Sequence, residues 1–213
     1  MRRVALTGGI ATGKSHVLAQ FRRHGIPCLD ADEMAHGVMA SGTEATRAIA
    51  ARFGEDILDP EGAVDRAKLG PVVFGDESAR RDLEAIVHPA VYRAIAAGLR
   101  AFELTGGPEL AVVDIPLLYE TGHQSEFEAV IATTCRPDVQ LARLLARGLT
   151  DAEARQRLAA QWPAAEKAAR ADFVINTDGT FAETDERVEQ VLRSLAARRQ
   201  PADGQGLGGP ASG

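Results

Sequence analysis

Gly8-Gly9-Ile10-Ala11-Thr12-Gly13-Lys14-Ser15 is the stretch that decides how this chain is read. It fits G-x-x-x-x-G-K-[ST] at every fixed position, and the spacing has a physical reason. A glycine-rich turn exposes successive backbone N–H groups to phosphate oxygens, and the helix behind it adds the positive end of its dipole. Gly9, Ile10, Ala11, Thr12, Gly13 and His16 supply backbone to such a cradle. Lys14 is placed to reach the β- and γ-phosphates, and the Ser15 hydroxyl to bind magnesium. ATP and Mg2+ are the cofactors implied. A merely flexible glycine turn is the alternative. It fits poorly, because the motif follows the apolar run Val4-Ala5-Leu6 and opens a helix.

Outward from the loop, a helix is predicted over 14–23, with Val17, Leu18 and Phe21 on one face and Gly25 as its stop. Ile26-Pro27-Cys28-Leu29 reads as a second strand ending at Asp30-Ala31-Asp32. Residues 33–104 read as helical throughout, broken at Gly42, Gly54, Asp59-Pro60-Glu61-Gly62 and Gly75-Asp76. Further strands are expected at 110–115, 129–132 and 173–175, with an arginine-rich helical segment over 138–171. The last helix, 181–197, carries Val188, Val191, Leu192 and Leu195 on its apolar stripe. Strands alternating with helices imply an α/β fold of three layers, a parallel sheet flanked by helices, with ligands at the strands' C-terminal ends. Onto it are grafted a helical insertion and a helical lid. The expected division is a nucleotide core of 1–32, 108–135 and 172–199, an insertion of 33–107, a lid of 136–171, and a linker-like, disordered tail over 200–213.

The 213 residues suit one such domain, and 45% hydrophobic with 25% charged residues is ordinary for a globular chain. A net charge of -6 argues against a general nucleic-acid binder, which needs a basic stripe to replace counterions. Cys28 and Cys135 lie far apart, so neither a zinc cluster nor a disulfide framework is suggested. The N-terminus lacks the apolar core of a signal peptide, and no apolar run approaches the roughly 18 residues of a membrane span. A cytoplasmic protein acting on a small molecule, without nucleic-acid or membrane partner, is the expectation. Oligomeric state is not legible.

The loop indicates a nucleotide; the acids indicate transfer. Asp30 and Asp32 lie beyond strand two, on the side of the sheet that holds the cradle. A carboxylate there can accept the proton of an attacking hydroxyl while the γ-phosphoryl group moves in line. One of the two is also expected to cap the following helix. Asp114 closes another apolar strand, where a metal-orienting carboxylate belongs alongside Ser15. Leu117 and Glu120, in Pro116-Leu117-Leu118-Tyr119-Glu120, can line the same cleft. Residues 136–170 hold seven basic residues against four acids. Most of that run reads as a solvated face, yet guanidinium groups delivered by a closing lid stabilise a transferring phosphoryl group. Arg143 and Arg147, spaced i to i+4, are the candidates for that role.

Taken in order, these residues resemble dephospho-coenzyme A kinases. The resemblance rests on Thr7 to Ser15, Asp30-Ala31-Asp32 with Ala35, Val87-His88-Pro89 and Pro116-Leu117-Leu118-x-Glu120. Arg147-Gly148-Leu149-Thr150, Gln161, Glu166-Lys167, Ala171-Asp172 and Val174-Ile175-Asn176 continue it, so that it spans roughly residues 3–198. It implies ATP-dependent phosphorylation of the ribose 3′-hydroxyl of dephospho-coenzyme A, with a nucleotide core, an acceptor-binding helical region and a lid. It also implies that Asp32 is the base, that His88 belongs to the acceptor site and that Asn176 flanks the adenine. Without the resemblance, His88 before Pro89 reads as the start of a helix. The chain departs from the family at two loop positions. Ala11 stands where glycine is usual, which fits if that residue keeps a negative φ. His16 replaces the usual threonine.

Two other readings stay open. One is a different small-molecule kinase on the same fold, acting on a nucleotide or a sugar, which would leave the Asp-Ala-Asp, His-Pro and Pro-Leu-Leu-x-Glu set unexplained. The other is a non-enzymatic nucleotide switch. A guanine switch would want an Asn-Lys-x-Asp segment, and Asn176-Thr177-Asp178-Gly179 lacks the lysine.

Overall fold

A computed structural model of the chain describes residues 1–197, so the expected tail at 200–213 lies outside the described residues. Five strands form one parallel sheet: β1 (Arg2–Gly8), β2 (Cys28–Asp30), β3 (Leu110–Asp114), β4 (Ala129–Thr134) and β5 (Phe173–Asn176). Their order is β2-β3-β1-β4-β5. The buried middles of β1 and β3, Val4-Ala5-Leu6 and Leu110-Ala111-Val112-Val113, are apolar runs because both faces of a parallel sheet are covered. The chain leaves β1 between strands that continue in opposite directions, and such a switch point opens a crevice at the strands' C-terminal edge. Asp30 and Leu6 both pair with Asp114 in the register, which brings two carboxylates to that edge.

The second strand starts later than the predicted Ile26. Pro27 has no N–H to give the ladder, and only its carbonyl takes part, accepting from Val112 N at 3.0 Å. Both cysteines are free thiols.

On one face lie α1 (Lys14–Arg23) and α9 (Phe181–Ala197), whose Val17, Phe21, Val188 and Leu195 pack on Leu6, Val112 and Ile131. Each such fully buried side chain contributes about 1.5–3 kcal/mol from removal of apolar surface from water. The opposite face takes Val91, Ile95 and Leu99 of the long helix α5 (Glu77–Leu104) against Ala5, Val113 and Val130. Before it come α2 (Ala31–Val38), α3 (Glu44–Phe53) and α4 (Arg66–Phe74). They enclose a separate apolar cluster of Met39, Ile49, Ile57, Val64 and Leu69. Three short helices, α6 (Pro137–Ala146), α7 (Asp151–Ala159) and α8 (Ala164–Arg170), lie between β4 and β5. Leu144 of α6 and Ala154 of α7 close on Ala11 of the glycine loop.

Asp30 is the capping residue of the Asp-Ala-Asp pair. It is the N-cap of α2, its Oδ1 accepting from Asp32 N at 2.8 Å and Glu33 N at 3.3 Å. His88 does not start a helix: α5 begins at Glu77 behind its cap Asp76 and runs on through Pro89. No helix among the described residues is long and apolar enough to cross a membrane.

Candidate active site

Gly13 holds φ +82° and caps α1 with no side-chain hydrogen bond. That left-handed turn, open to glycine at no steric cost, starts α1 at the cavity wall, where the first N–H groups of a helix lack intrahelical partners. The result is one cavity of about 770 Å³ lined by the whole of Gly8–Ser15. Two glutamines brace the loop from the helical segment above it. Gln161 Oε1 accepts from Ile10 N at 3.0 Å, and Gln140 Nε2 donates to Ile10 O at 2.5 Å.

Ala11 does not keep the negative φ that its sequence suggested; it sits at φ +60°. The loop needs a left-handed residue there, and an alanine so placed carries a strain of about 1–2 kcal/mol. Its methyl is buried against Leu144 and Ala154. Ala11→Gly relieves the strain but gives up about 0.8 kcal/mol of methyl burial and about 0.4–1 kcal/mol of unfolded-chain entropy. These terms nearly cancel, so thermal melting is expected to shift by less than about 3 °C. A drop much larger than that would show the lid contact to outweigh the strain.

Lys14 Nζ contacts both carboxylate oxygens of Asp114 at 2.5 Å. Burial pushes the Asp114 carboxyl up to about 6, against the opposing pull of Lys14 and with help from nearby Asp30 and Asp32. The lysine is thus parked on the acid that closes β3. Asp32 also lines the cavity, exposed, and its carboxylate has no hydrogen bond or ion pair to the described residues. Its neighbour Asp30 absorbs the capping duty, which leaves Asp32 free for chemistry.

The two lid arginines differ. Arg143 donates to Ala11 O at 3.2 Å, Thr177 Oγ1 at 3.0 Å and Thr177 O at 2.5 Å, so it is a strut between α6 and the loop. Arg147 caps the end of α6 at the cavity wall, exposed and without a partner among the described residues.

Several expected site residues lie off the cavity. His88 is half-buried in α5, where burial lowers its pKa against the raising influence of Glu84. Asn176 is spent on a local turn, donating to Asp178 Oδ2 at 2.8 Å, and Thr177 takes its place in the wall. Leu117 stands beside the wall residue Pro116. Glu120 is tied up behind it: its Oε1 accepts from Lys167 Nζ at 2.7 Å and Trp162 N at 3.0 Å. Lys167 also donates to Pro116 O at 2.7 Å. Far from being part of a solvated face, Lys167 is fully buried, and burial pulls its pKa down against the opposing effect of Glu120. Nothing in the charge pattern of the run marks which of its seven basic residues turns inward. No cluster of three or more His, Cys, Asp or Glu residues able to hold a metal occurs among the described residues. Ser15 lines the cavity, and Asp30 and Asp114 end adjacent strands at the same edge of the sheet; hydroxyl and carboxylate oxygens are the donor type that suits a hard cation.

A family model for dephospho-CoA kinase matches residues 2–183. The dephospho-CoA kinase of Geobacillus kaustophilus is 48% identical over 195 residues, covering 91% of this chain and 96% of that protein. That of Anaeromyxobacter dehalogenans is 47% identical, with 94% and 97% covered. Among solved structures, dephospho-CoA kinase from Campylobacter jejuni superposes with a TM-score of 0.71 at 26% identity, covering 94% of this chain and all of that one.

Proposed function

The chain belongs to the dephospho-CoA kinase family, and from that premise we propose that it moves the γ-phosphoryl group of ATP to the ribose 3′-hydroxyl of dephospho-coenzyme A. The products are coenzyme A and ADP, at the last step of coenzyme A synthesis. The observation that carries the assignment is a single cavity shared by a phosphate cradle and an unpartnered carboxylate, Asp32.

In this reading the loop amides and the N-terminus of α1 hold the β- and γ-phosphates. Lys14 exchanges Asp114 for phosphate oxygens, which neutralise it equally well and lie nearer its own loop. Asp32 accepts the proton of the 3′-hydroxyl as the oxygen attacks, a role that requires a free lone pair within hydrogen-bond reach. Arg147, uncommitted at the cavity wall, reaches the transferring group when the lid closes, while Arg143 keeps the loop and α6 in register. Residues 33–107 serve as the acceptor-binding region, which their separate apolar cluster supports, and 136–171 serve as the lid. His88, Leu117 and Glu120 shape the acceptor wall from behind or beside it. Asn176 shapes the adenine side only through its turn.

Magnesium bound with ATP would be held by Ser15 Oγ and, once Lys14 has left it, by Asp114, and would neutralise charge developing on the phosphates. The protein's own share is to offer these oxygens at one edge of the sheet.

ATP turnover measured against dephospho-coenzyme A, adenosine, shikimate and gluconate tests the acceptor. Strong stimulation by dephospho-coenzyme A alone is the expected result. If none occurs, the acceptor assignment is lost while the phosphate cradle stands.

A further inference from the structure

The apolar stripe of α9 runs one turn beyond the core it serves. Thr184, Val188, Val191 and Leu195 are buried on that stripe at spacings of four, three and four. Phe181 continues it at three residues before Thr184, yet its side chain is 73% exposed and stands in the wall of the nucleotide cavity. Phe74 is also exposed but stands in no cavity wall; what sets Phe181 apart is that its open face borders the space where a nucleotide fits, and an aromatic face there can be covered by a flat ligand. One side of the ring already has a support. His16, the first residue after Ser15, lies against it with ring centroids 4.5 Å apart at 36°. The imidazole is itself held by Asp185 Oδ1 at 2.7 Å and faces Gln20 Nε2 at 3.4 Å, so α1 and α9 together set the orientation of Phe181.

Polar side chains around the ring are already engaged. The Thr177 hydroxyl accepts from Arg143 and donates to Thr12 O at 2.8 Å. Thr180 Oγ1 donates to Glu183 Oε2 at 3.1 Å, and Thr184 Oγ1 to Thr180 O at 3.1 Å. This end of the cavity therefore offers a ligand a flat apolar face and few free side-chain donors.

We propose that Phe181, braced by His16, is the face on which the base of the donor nucleotide stacks, and that it makes the enzyme select purines over pyrimidines by ring size. The inference rests on the reading that the glycine loop holds the donor's phosphates, since these set which end of the nucleotide meets α9. Stacking is sequence-tolerant because every base has a π-face, and larger rings cover more of it.

The test measures KM for ATP, GTP and CTP, together with inhibition by inorganic tripolyphosphate, in the wild type, Phe181→Ala and Phe181→Trp. Phe181→Ala is expected to raise KM for ATP and for GTP by about 5- to 100-fold. CTP should lose less, kcat at saturation should hold, and tripolyphosphate should inhibit as before. Phe181→Trp should keep the wild-type preference. An unchanged KM for ATP in Phe181→Ala overturns the proposal. So does a parallel loss of tripolyphosphate inhibition, which would mean that the loop was disturbed rather than a base contact removed. Lys14→Ala separates the premise: if tripolyphosphate inhibits that variant as well as it does the wild type, the phosphate cradle itself is misassigned.

Discussion

Asp32→Asn is expected to cut kcat by about 10²–10⁴-fold while the affinity for ATP stays within about twofold of the wild type. The size follows from what general-base catalysis supplies when a positioned group takes a proton in the transition state. The selectivity follows from the structure. Asp32 supports no helix cap, because Asp30 does that work, and its carboxylate makes no hydrogen bond or ion pair to the described residues. Asparagine preserves its shape, and the backbone N–H that Asp32 gives to Asp30 is untouched. Stability should therefore hold, and so should the cradle. Steady-state turnover and equilibrium ATP binding, measured on the same preparation, check the result. Turnover near the wild-type value would remove Asp32 as the base; Asp30 would be a weak substitute, since its Oδ1 already accepts two amides.

Lys14→Ala should damage binding and turnover together, with kcat/KM down by about 10²–10³-fold, the cost of losing one charged contact to a transferring group. Unlike Asp32, Lys14 also has a partner in the ligand-free protein. Removing it strands Asp114, whose side chain is only 3% exposed. Breaking a buried pair can cost about 3–5 kcal/mol. That is an upper bound, because Asp114, already raised to about 6, can take up a proton instead. The pair of variants Lys14→Ala and Lys14→Ala with Asp114→Asn separates the two roles. The second change removes the stranded charge and should restore melting temperature without restoring turnover. Recovery of turnover along with stability would mean that Lys14 matters only as the partner of Asp114.

Much of this site could be read before folding because its chemistry is local. The glycine spacing, Lys14 and Ser15 form one continuous loop whose backbone conformation makes the cradle, so no distant residue is needed to see it. The helices of 33–104 were legible for the same reason: their breaks are glycines, a proline and Asp caps adjacent in the chain. Misreadings came where a residue's meaning depends on something far away in sequence. Ala11 tolerates φ +60° in a loop held by Gln140, Gln161 and Arg143, each more than a hundred residues on. Asn176 is a local case instead: a turn with Asp178, two residues on, engages its amide, and Thr177 beside it reaches the cavity wall.

The sequence alone determined that a strand, a phosphate-binding turn and a helix follow one another at the start of the chain, and that acids end the neighbouring strands. Periodicity and turn chemistry act over a few residues and can be read along the chain. Only the tertiary structure decided how equivalent-looking groups divide their work. Parallel pairing placed Asp114 beside Leu6 and Asp30, which put a buried acid under Lys14. Packing of α8 against the sheet turned Lys167 inward to Pro116 and Glu120, while Arg147 on the same segment stayed free. The Lys14–Asp114 contact joins residues 100 positions apart and the Lys167–Pro116 contact residues 51 apart, while the clasp of His16 and Asp185 beside Phe181 spans 169. Position in the fold, not residue type, made one charge structural and left another available for catalysis.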